Sequence, residues 1–219
     1  MAEAAPGRPG RPARWSRDDI VEAAGRIVTT EGVDALTMRR VARELGCSPM
    51  ALYRHVRDKD ELLLLLLDHT AATLPRPTLP EDPRRRLVVL WRQLHDALAE
   101  HPWVVGVLAQ GDLAGPSVLW LVEEILTGFV ASGLAPRQAA AAYRIVWQYT
   151  VGVLTIRHAT TTRAAEHDQD APQVQRTMIL DADPAELPLI SSLSGDWPHA
   201  WDNYAAGLDA LLDGLLPRA

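Results

Sequence analysis

The side chains with the clearest chemical role lie between residues 36 and 61, where polar and cationic groups alternate with apolar ones at helical spacing. Thr37 is placed to cap a helix with its hydroxyl oxygen, and Gly46 stands where a left-handed helix cap is favoured. Ser48 is placed to cap a second, short helix, with Pro49 at its first position. Two helices joined by such a tight turn predict a helix-turn-helix, a motif that places its second helix in the major groove of DNA.

The second helix of this motif has an inner and an outer side. Leu52 and Val56 are four residues apart and are predicted to face the core. The residues near or on the outer side are Ser48, Pro49, Met50, Ala51, Tyr53, Arg54 and His55. This outer side is the predicted DNA-reading surface.

The same stretch resembles the TetR family of transcriptional repressors. The family pattern Leu-Thr-x-Arg-x-[hydrophobic]-Ala-x-x-Leu-Gly-[small]-Ser-x-x-x-Leu-Tyr-x-His-[hydrophobic]-x-x-Lys is met from Leu36 to Lys59. Fourteen of its positions match in order, including Leu and Tyr at 52 and 53 and His at 55. The alternative is an ordinary helical hairpin, which does not need Tyr53, His55 and Lys59 at those places.

The resemblance implies a role for each residue of this surface. Thr37 and Lys59 are expected to bind phosphates, and Arg39 to read a base edge, with guanine as the expected base. Tyr53 and His55 are expected to contact backbone phosphates. The residues expected to contact bases or thymine methyl groups are Pro49, Met50, Ala51 and Arg54, with Ser48 beside them on the same surface.

The charge of the chain is unevenly placed. The protein has 219 residues, enough for one or two domains with a sizeable core, and a formal net charge of −6. Residues 1–59 carry eleven Lys and Arg against eight Asp and Glu, whereas residues 60–219 carry eleven against twenty. A basic N-terminal part on an acidic remainder is expected when only the N-terminal part meets phosphate.

Cysteine content and hydropathy point to the cytoplasm. The one cysteine, Cys47, excludes an internal disulfide. It is predicted to pack as a small apolar residue in the turn, with a redox switch as the alternative. The longest strongly apolar run, Leu62 to Leu67, is too short to span a bilayer, and no signal peptide is recognisable. We therefore expect a cytoplasmic protein without a membrane partner.

The pattern along the chain predicts an all-α fold, because no period-two strand is found. Residues 1–15 are expected to be a disordered basic arm, 16–60 a three-helix helix-turn-helix DNA-binding domain, and 61–219 a helical bundle for ligand binding and dimerisation. In and beside the arm, the arginines Arg8, Arg11, Arg14 and Arg17 either follow the minor groove beside the operator or belong to a solvated tail.

Caps and prolines predict where the helices begin and end. Ser16 caps the first helix, which ends near Glu31, and Asp58 caps the fourth, with Glu61 completing a capping box. The remaining predicted helices are 58–72, Pro83 to Glu100, Pro102 to Gln110, Pro116 to Ala131, Pro136 to Thr161 and Pro198 to Leu216. Residues 163–189 are polar and contain prolines, so they are predicted to be a loop.

The TetR resemblance implies an all-helical body that forms a dimer and holds an inducer. The end of the chain resembles the C-terminal class of the tetracycline repressors themselves, through Gly207, Leu208, Leu211, Leu212, Gly214 and Leu215. The helix from Pro136 and the last helix are both apolar, so residues about 138–160 and 199–216 are predicted to form a four-helix interface between two subunits. The alternative is that both are ordinary core helices.

Six of the seven tryptophans lie in the body, which favours an apolar ligand pocket with a few polar groups. The candidate ligand-binding residues are His69, Trp91, His95, Trp103, Trp120, Tyr143, Trp147, Gln148, Val151 and Thr155. Taken singly, each is better explained as a core residue, and only the set as a whole favours a pocket. The tetracycline repressors hold a magnesium-bound drug partly through a histidine of the short sixth helix. Pro102 to Gln110 has no histidine, so we expect no metal and no cofactor, and a ligand other than tetracycline.

The chain has no recognisable catalytic motif, neither a Gly-rich phosphate loop nor a metal-binding histidine pair, so we do not expect an enzyme. We predict a homodimeric repressor that binds a palindromic double-stranded DNA operator and is released by a small apolar inducer. The inducer is expected to move the fourth helix and change the separation of the recognition helices. The alternatives are a ligand-independent DNA-binding regulator or activator, and a helical ligand-binding protein or enzyme.

Overall fold

The computed structural model describes residues 15–108, 115–166, 181, 183–193 and 203–218. Over these ranges the chain contains helices and no strand, as the all-α prediction required. The chain divides into two compact units, which we call the head, up to Thr73, and the body, from Leu74 onward. The sequence predicted the boundary after residue 60, whereas the structure places it after Thr73, so the fourth helix belongs to the head. The arm at 1–14 lies outside the described residues.

The head contains four α-helices and one short 3₁₀ helix within its described part. They are α1 (Arg17–Glu31), the 3₁₀ helix (Val33–Ala35), α2 (Met38–Leu45), α3 (Pro49–Leu52) and α4 (Lys59–Ala72). The centre of its core comes from one side of α1 and consists of Ile20, Val21, Ala23, Ala24, Ile27 and Val28. These residues pack against α2 and α4. Burial of this apolar face holds the short α2 and α3 in place, because helices of that length are not stable alone.

The helix ends of the head follow the predicted caps, with two differences. Ser16 and Thr37 accept the expected backbone hydrogen bonds, and Gly46 is left-handed at φ 63°. Ser48 occupies the N-cap of α3, but its hydroxyl makes no capping hydrogen bond. Asp58 caps α4, but Glu61 does not close the capping box. Its carboxylate accepts the N–H of Arg57 instead, because Arg57 and Arg17 draw it away from the cap.

The body is built on α5 (Pro83–Glu100), α6 (Pro102–Leu108), α7 (Leu119–Ala131) and α8 (Pro136–Glu166). Its described part also contains a 3₁₀ helix (Pro116–Val118), α9 (Pro188–Leu193) and α10 (Tyr204–Leu215). The buried residues include Leu87, Leu90, Trp91, Leu121, Ile125, Phe129, Val146, Leu208 and Leu212. The packing of α5 on α7 needs Gly128, because a Cβ there would lie 2.9 Å from a Leu87 methyl.

Three boundaries of the body differ from the sequence prediction. Helix α8 continues to Glu166, because Ala164 and Ala165 favour a helix once it has formed. The predicted loop at 163–189 is therefore wrong at both ends, since Pro188 already begins α9. The last helix begins at Tyr204 rather than Pro198. The remainder of the predicted loop lies mostly outside the described residues.

Among the helices described, none combines the length and the apolar character needed to cross a lipid bilayer.

Candidate nucleic-acid interface and ligand site

The turn between α2 and α3 fixes the direction of the recognition helix. Gly46 in the left-handed region lets the N–H of Cys47 return to the carbonyl of Ala42 at 2.9 Å. Leu52 and Val56 then anchor α3 and the residues after it in the head core, since both are 1 % exposed. Cys47 itself is half-buried in this turn with a free thiol, in agreement with a packing role.

The opposite side of α3 and its C-terminal turn projects into solvent. Met50 is 71 % exposed and Tyr53 is 50 % exposed, although both are large and mostly apolar. Exposed residues of this kind, gathered on a surface with cations, are typical of a macromolecular contact. The other predicted DNA-binding residues are exposed at Thr37, Arg39, Ser48, Pro49 and Arg54, and half-buried at Ala51, His55 and Lys59.

The arginines of the head fall into two groups. Arg39, Arg43 and Arg54 make no hydrogen bond or ion pair with any residue that the structure describes. Arg40, in contrast, binds Glu31 at 2.6 Å and Glu44 at 2.9 Å. These hydrogen bonds raise the pKa of Arg40 and lower those of the two carboxyls. Only the first group is available to a polyanion without breaking an internal contact.

Two of the predicted phosphate ligands also make internal contacts. The Thr37 hydroxyl oxygen accepts the N–H of Arg40 at 3.1 Å, so it caps α2. The Lys59 ammonium donates to the carbonyl of Val33 at 3.3 Å, which ties the start of α4 to the 3₁₀ helix. An ammonium has three donors, so Lys59 retains two for phosphate.

A clamp of ionic groups around Glu61 is the part of this interface that sequence reasoning missed. Arg17 donates to Glu61 at 2.6 Å and to the carbonyl of His55 at 3.3 Å. Glu61 also accepts the backbone N–H of Arg57 at 2.7 Å, and this bond is the main reason why the pKa of Glu61 is lowered. The clamp joins the start of α1, the start of α4 and the end of the recognition segment, by which we mean α3 and the turn after it, residues 49–57. Arg17 was predicted to follow the minor groove or the tail, whereas here it is held inside the head.

In the body, four aromatic or heteroaromatic rings gather where α5, α8 and α10 meet. The ring of Trp91 lies 5.5 Å from that of Tyr143. The ring of His95 stacks on Tyr204 with 4.0 Å between centroids. The Tyr204 hydroxyl donates to the carbonyl of Trp91 at 3.2 Å and lies 3.0 Å from the hydroxyl of Thr150. Burial raises the pKa of Tyr204 to about 12.

Two polar atoms of this cluster are buried without a hydrogen-bond partner among the described residues. They are the indole Nε1 of Trp91 and the imidazole Nε2 of His95. The other ring nitrogen of His95, Nδ1, lies 2.9 Å from a carboxylate oxygen of Asp96. Because Trp91 and His95 are four residues apart on α5, both atoms lie on the same side of that helix.

The remaining predicted ligand-binding residues are spread over different surroundings. Trp147 and Val151 are half-buried on α8, on the same side as Tyr143, and Trp103 is half-buried on α6. Gln148 and Thr155 are exposed. The ring of Trp120 lies beneath the guanidinium of Arg76 at 4.9 Å. His69 is exposed and belongs to the head. The structure thus brings Trp91, His95 and Tyr143 into one cluster and leaves the others outside it.

No group of three or more potential metal ligands occurs among the residues described.

Helices α8 and α10 carry adjoining stripes of small and apolar residues on their exposed sides. On α8 the stripe consists of Ala141, Ile145, Gly152, Ile156 and Ala159, and on α10 of Ala206, Ala210 and Gly214. Between the stripes, Tyr149 packs on Gly207, where a Cβ would overlap the tyrosine hydroxyl. Ile156 is 54 % exposed, although it lies in the middle of a long helix. Small side chains on paired helices allow two such surfaces to approach closely.

A helix-turn-helix head with unpaired arginines and an all-helical body define a DNA-binding transcriptional regulator. Residues 20–66 match the family of bacterial regulatory proteins, tetR family, and residues 76–218 match the tetracyclin repressor-like C-terminal domain. The chain therefore belongs to the TetR family, whose regulators are dimers.

Relatives and solved structures agree with this assignment. The chain is 32 % identical to the HTH-type transcriptional repressor DrrR1 of Streptomyces coeruleorubidus, over 90 % of this chain and 76 % of the relative. The structure of ActR from Streptomyces coelicolor in complex with actinorhodin covers 93 % of this chain and 96 % of ActR, with a TM-score of 0.75 and 23 % identity. BioQ with its double-stranded DNA operator covers 94 % of this chain and 100 % of BioQ, with a TM-score of 0.66 and 26 % identity.

Proposed function

We infer that this protein is a transcriptional repressor that binds a palindromic operator as a homodimer and leaves it when a small, mostly apolar molecule binds the body. The single observation that carries the inference is the recognition surface of the head. Met50 and Tyr53 are exposed there, and Arg39 and Arg54 are cations without partners among the residues described. A helical enzyme whose head does not bind DNA would have no need for such a surface.

The division of the arginines suggests how the head reads DNA. Arg39, at the start of α2, is free to form the bidentate hydrogen bonds to guanine that arginine makes in the major groove. Arg54 and Met50 lie on the outer side of the recognition segment, where they reach base edges and thymine methyl groups. Lys59 and Tyr53 bind phosphates and so fix the position of α3 without reading sequence.

The stripes on α8 and α10 support a symmetric dimer. Each stripe leaves apolar surface in water in one copy of the chain, and a two-fold axis would bury both against their counterparts. A two-fold dimer presents two heads related by the same axis, so the operator should be palindromic. Its half-sites should lie about 34–36 Å apart, or a multiple of this distance, because the recognition helices enter successive turns of the groove.

Release by a ligand requires only that the ligand prefer the form of the dimer that does not fit the operator. A tenfold loss of operator affinity corresponds to about 1.4 kcal/mol of coupling. The complexes of BioQ with DNA and ActR with actinorhodin support both halves of this function in related folds. We propose that ligand binding in the body changes the separation of the two recognition helices.

The function is tested by selecting an operator from a random-sequence DNA pool with the purified full-length protein. We expect a palindrome bound with a stoichiometry of one dimer per site or a multiple of it, as measured by fluorescence anisotropy and light scattering. Affinity should fall steeply with salt, because phosphate contacts release counterions. A selected sequence without two-fold symmetry, or binding by a monomer, would contradict the proposal. Operator binding that no small molecule weakens would favour a ligand-independent regulator.

A further inference from the structure

Two buried atoms of the ring cluster, Trp91 Nε1 and His95 Nε2, have no hydrogen-bond partner in the part of the chain that the structure describes. Buried polar groups in folded proteins are nearly always hydrogen-bonded, because an unsatisfied one keeps the full penalty of its desolvation. Trp91 is 0 % exposed and His95 is 8 % exposed, so water does not reach the rings freely. Two such atoms one turn apart on α5 therefore indicate a hydrogen-bonding partner other than the described residues.

Neighbouring side chains are already engaged and do not supply that partner. The Tyr204 hydroxyl is shared between the Trp91 carbonyl and Thr150. The Thr150 hydroxyl also donates to the carbonyl of Val146 at 2.8 Å. A third unpaired atom, Oε1 of Gln93, is placed differently, since Gln93 projects from another side of α5 and its amide donates to the carbonyl of Pro75.

The two atoms have opposite hydrogen-bonding character. An indole N–H is a donor only. Asp96 accepts from Nδ1 of His95, so Nδ1 carries a proton, and in the neutral form of the ring Nε2 then presents a lone pair. A partner that satisfies both atoms must therefore offer an acceptor to Trp91 and a donor to His95.

We propose that the inducer is a hydroxylated aromatic ketone whose carbonyl accepts from Trp91 Nε1 and whose hydroxyl donates to His95 Nε2. This proposal rests on the function inferred above and names the chemistry of its ligand. Residues four apart on a helix are separated by about 5–6 Å, so the two oxygens belong on neighbouring rings or positions of one rigid molecule. The rings of Tyr143 and Tyr204 beside these two residues favour a flat aromatic partner.

The burial of the two atoms also links binding to release from DNA. Because neither ring is freely accessible, a ligand has to displace side chains around α5 and α8 to reach them. The ligand-bound body is then a different conformation from the one described, and a ligand acts on a distant equilibrium only by such a difference. The hydrogen bonds to Trp91 and His95 favour the displaced form, which supplies the coupling that induction needs.

The test uses three probes of one shape: 2-hydroxyanthraquinone, 2-methoxyanthraquinone and anthraquinone. All three present a carbonyl, but only the first presents a hydroxyl donor. Isothermal titration calorimetry of the full-length dimer should show the hydroxyl compound binding about tenfold more tightly than either of the others, since one buried hydrogen bond is at stake. The same order should be found for release of the selected operator.

Three variants separate the two hydrogen bonds. His95→Phe keeps a flat ring and removes the acceptor, so the preference for the hydroxyl compound should disappear. Trp91→Phe removes the donor, so all three probes should weaken by a similar factor while the preference remains. His158→Phe, the same change as the first at an exposed position of α8, should leave all three affinities unchanged. Thermal melting of each variant confirms that the body still folds.

Each possible result decides the proposal. A hydroxyl preference that survives His95→Phe, or a Trp91→Phe variant that binds all three probes as tightly as the wild type, overturns it. Failure of all three probes to bind the wild-type dimer also overturns this ligand class. In both cases the inferred function stands as long as the protein binds a palindromic operator, and that function fails separately if no operator is selected.

Discussion

The head and the body treat their functional polar groups in opposite ways. In the head, Arg39 and Arg54 are exposed and unpaired, while Arg17 and Arg40 are fixed in ion pairs. In the described part of the body, Trp91 and His95 instead carry buried polar atoms without a partner. DNA is a large polyanion that displaces water and counterions from a surface that is already formed. A small ligand gains most from groups that water does not already satisfy, because its hydrogen bonds then replace nothing.

In both units, some polar residues are placed to bind the partner, and others hold those binding groups in position. Arg17 and Glu61 form an ion pair of 2.6 Å between the start of α1 and the start of α4. Neither residue is placed among the groups that read DNA. Their contribution to operator binding comes through the carbonyl of His55 and the N–H of Arg57, which hold the end of the recognition segment. In the body, Tyr204 has the corresponding role, because it holds α5 and α8 together beside the unpaired atoms.

The largest effect is expected from Ile156→Asp, which places a charge in the middle of the exposed stripe of α8. Burying an unpaired carboxylate between two subunits is prohibitive, so the dimer should dissociate. Operator affinity should then fall by more than about a hundredfold, because a monomer loses one of two half-sites. Light scattering and anisotropy measure the two effects. The matched control is Thr161→Asp, an exposed position of the same helix that lies five residues from Ile156 and so on another side, and it should remain dimeric. A fully dimeric Ile156→Asp would place the interface elsewhere.

The next largest effect is expected from Arg39→Ala, which removes a cation without disturbing any internal contact. Loss of a bidentate base contact costs about 1–3 kcal/mol, so affinity should fall roughly ten- to a hundredfold. Sequence preference at one base pair of each half-site should relax at the same time. Selection with the variant protein measures this. Arg92→Ala, an exposed arginine of the body, is the control. Weaker binding with unchanged sequence preference would make Arg39 a phosphate ligand instead.

Tyr204→Phe tests the polar network of the body. The missing hydroxyl should cost about 1–2 kcal/mol of unfolding free energy, which lowers the melting temperature by about 2–4 °C per kcal/mol in a protein of this size. Operator affinity without ligand should change less than twofold. If the free energy of operator binding weakened by as much as the free energy of unfolding, the network would also support the DNA-binding state.

The raised pKa of Tyr204 gives the same variant a second readout. Its pKa is about 12 in the fold against an ordinary value of 10.0, so the unfolded chain loses this proton first. The contribution of Tyr204 to stability is complete below pH 10 and is lost as the pH rises from there towards 12. Tyr204→Phe should lack this alkaline component in thermal melts. An identical alkaline loss in both proteins would assign it to other groups.

The smallest effect is expected from Glu61→Gln, which weakens the clamp of the head. Operator affinity should fall a few-fold while its salt dependence stays unchanged, because Glu61 touches no phosphate. Lys59→Ala is the comparison, and it should lower the salt slope by about one unit.

The same variant has a second readout in the stability of the head at acid pH. The hydrogen bond from the Arg57 backbone lowers the pKa of Glu61 below its ordinary 4.5, so the contribution of Glu61 to stability is present above that pH and is lost below it. An acid melt of Glu61→Gln that matches the wild type would show that the clamp adds nothing to the head.

Much of the head could be predicted from its sequence because its signals are local. A cap is decided within four residues, which is why Ser16, Thr37 and Gly46 were predicted correctly. The capping box at Glu61 was wrong, because the carboxylate is also within reach of Arg17, which is 44 residues away. Helix α8 was predicted too short for a related reason. Residues 160–163, where the prediction ended the helix, are polar, and polarity alone does not distinguish a continuing helix from a loop.

Local sequence patterns were enough to predict the helix-turn-helix head, its basic surface and the all-helical body. Spacing along a single helix or turn contains that information, since each cap and each apolar face involves near neighbours only. Which polar groups lack a partner could not be predicted in this way, because it depends on the packing of distant segments. The hydrogen bond between Tyr204 and Trp91 spans 113 residues, and no local pattern marks it. Whether a side chain is satisfied depends on what the fold brings beside it, and that is known only when distant segments have packed.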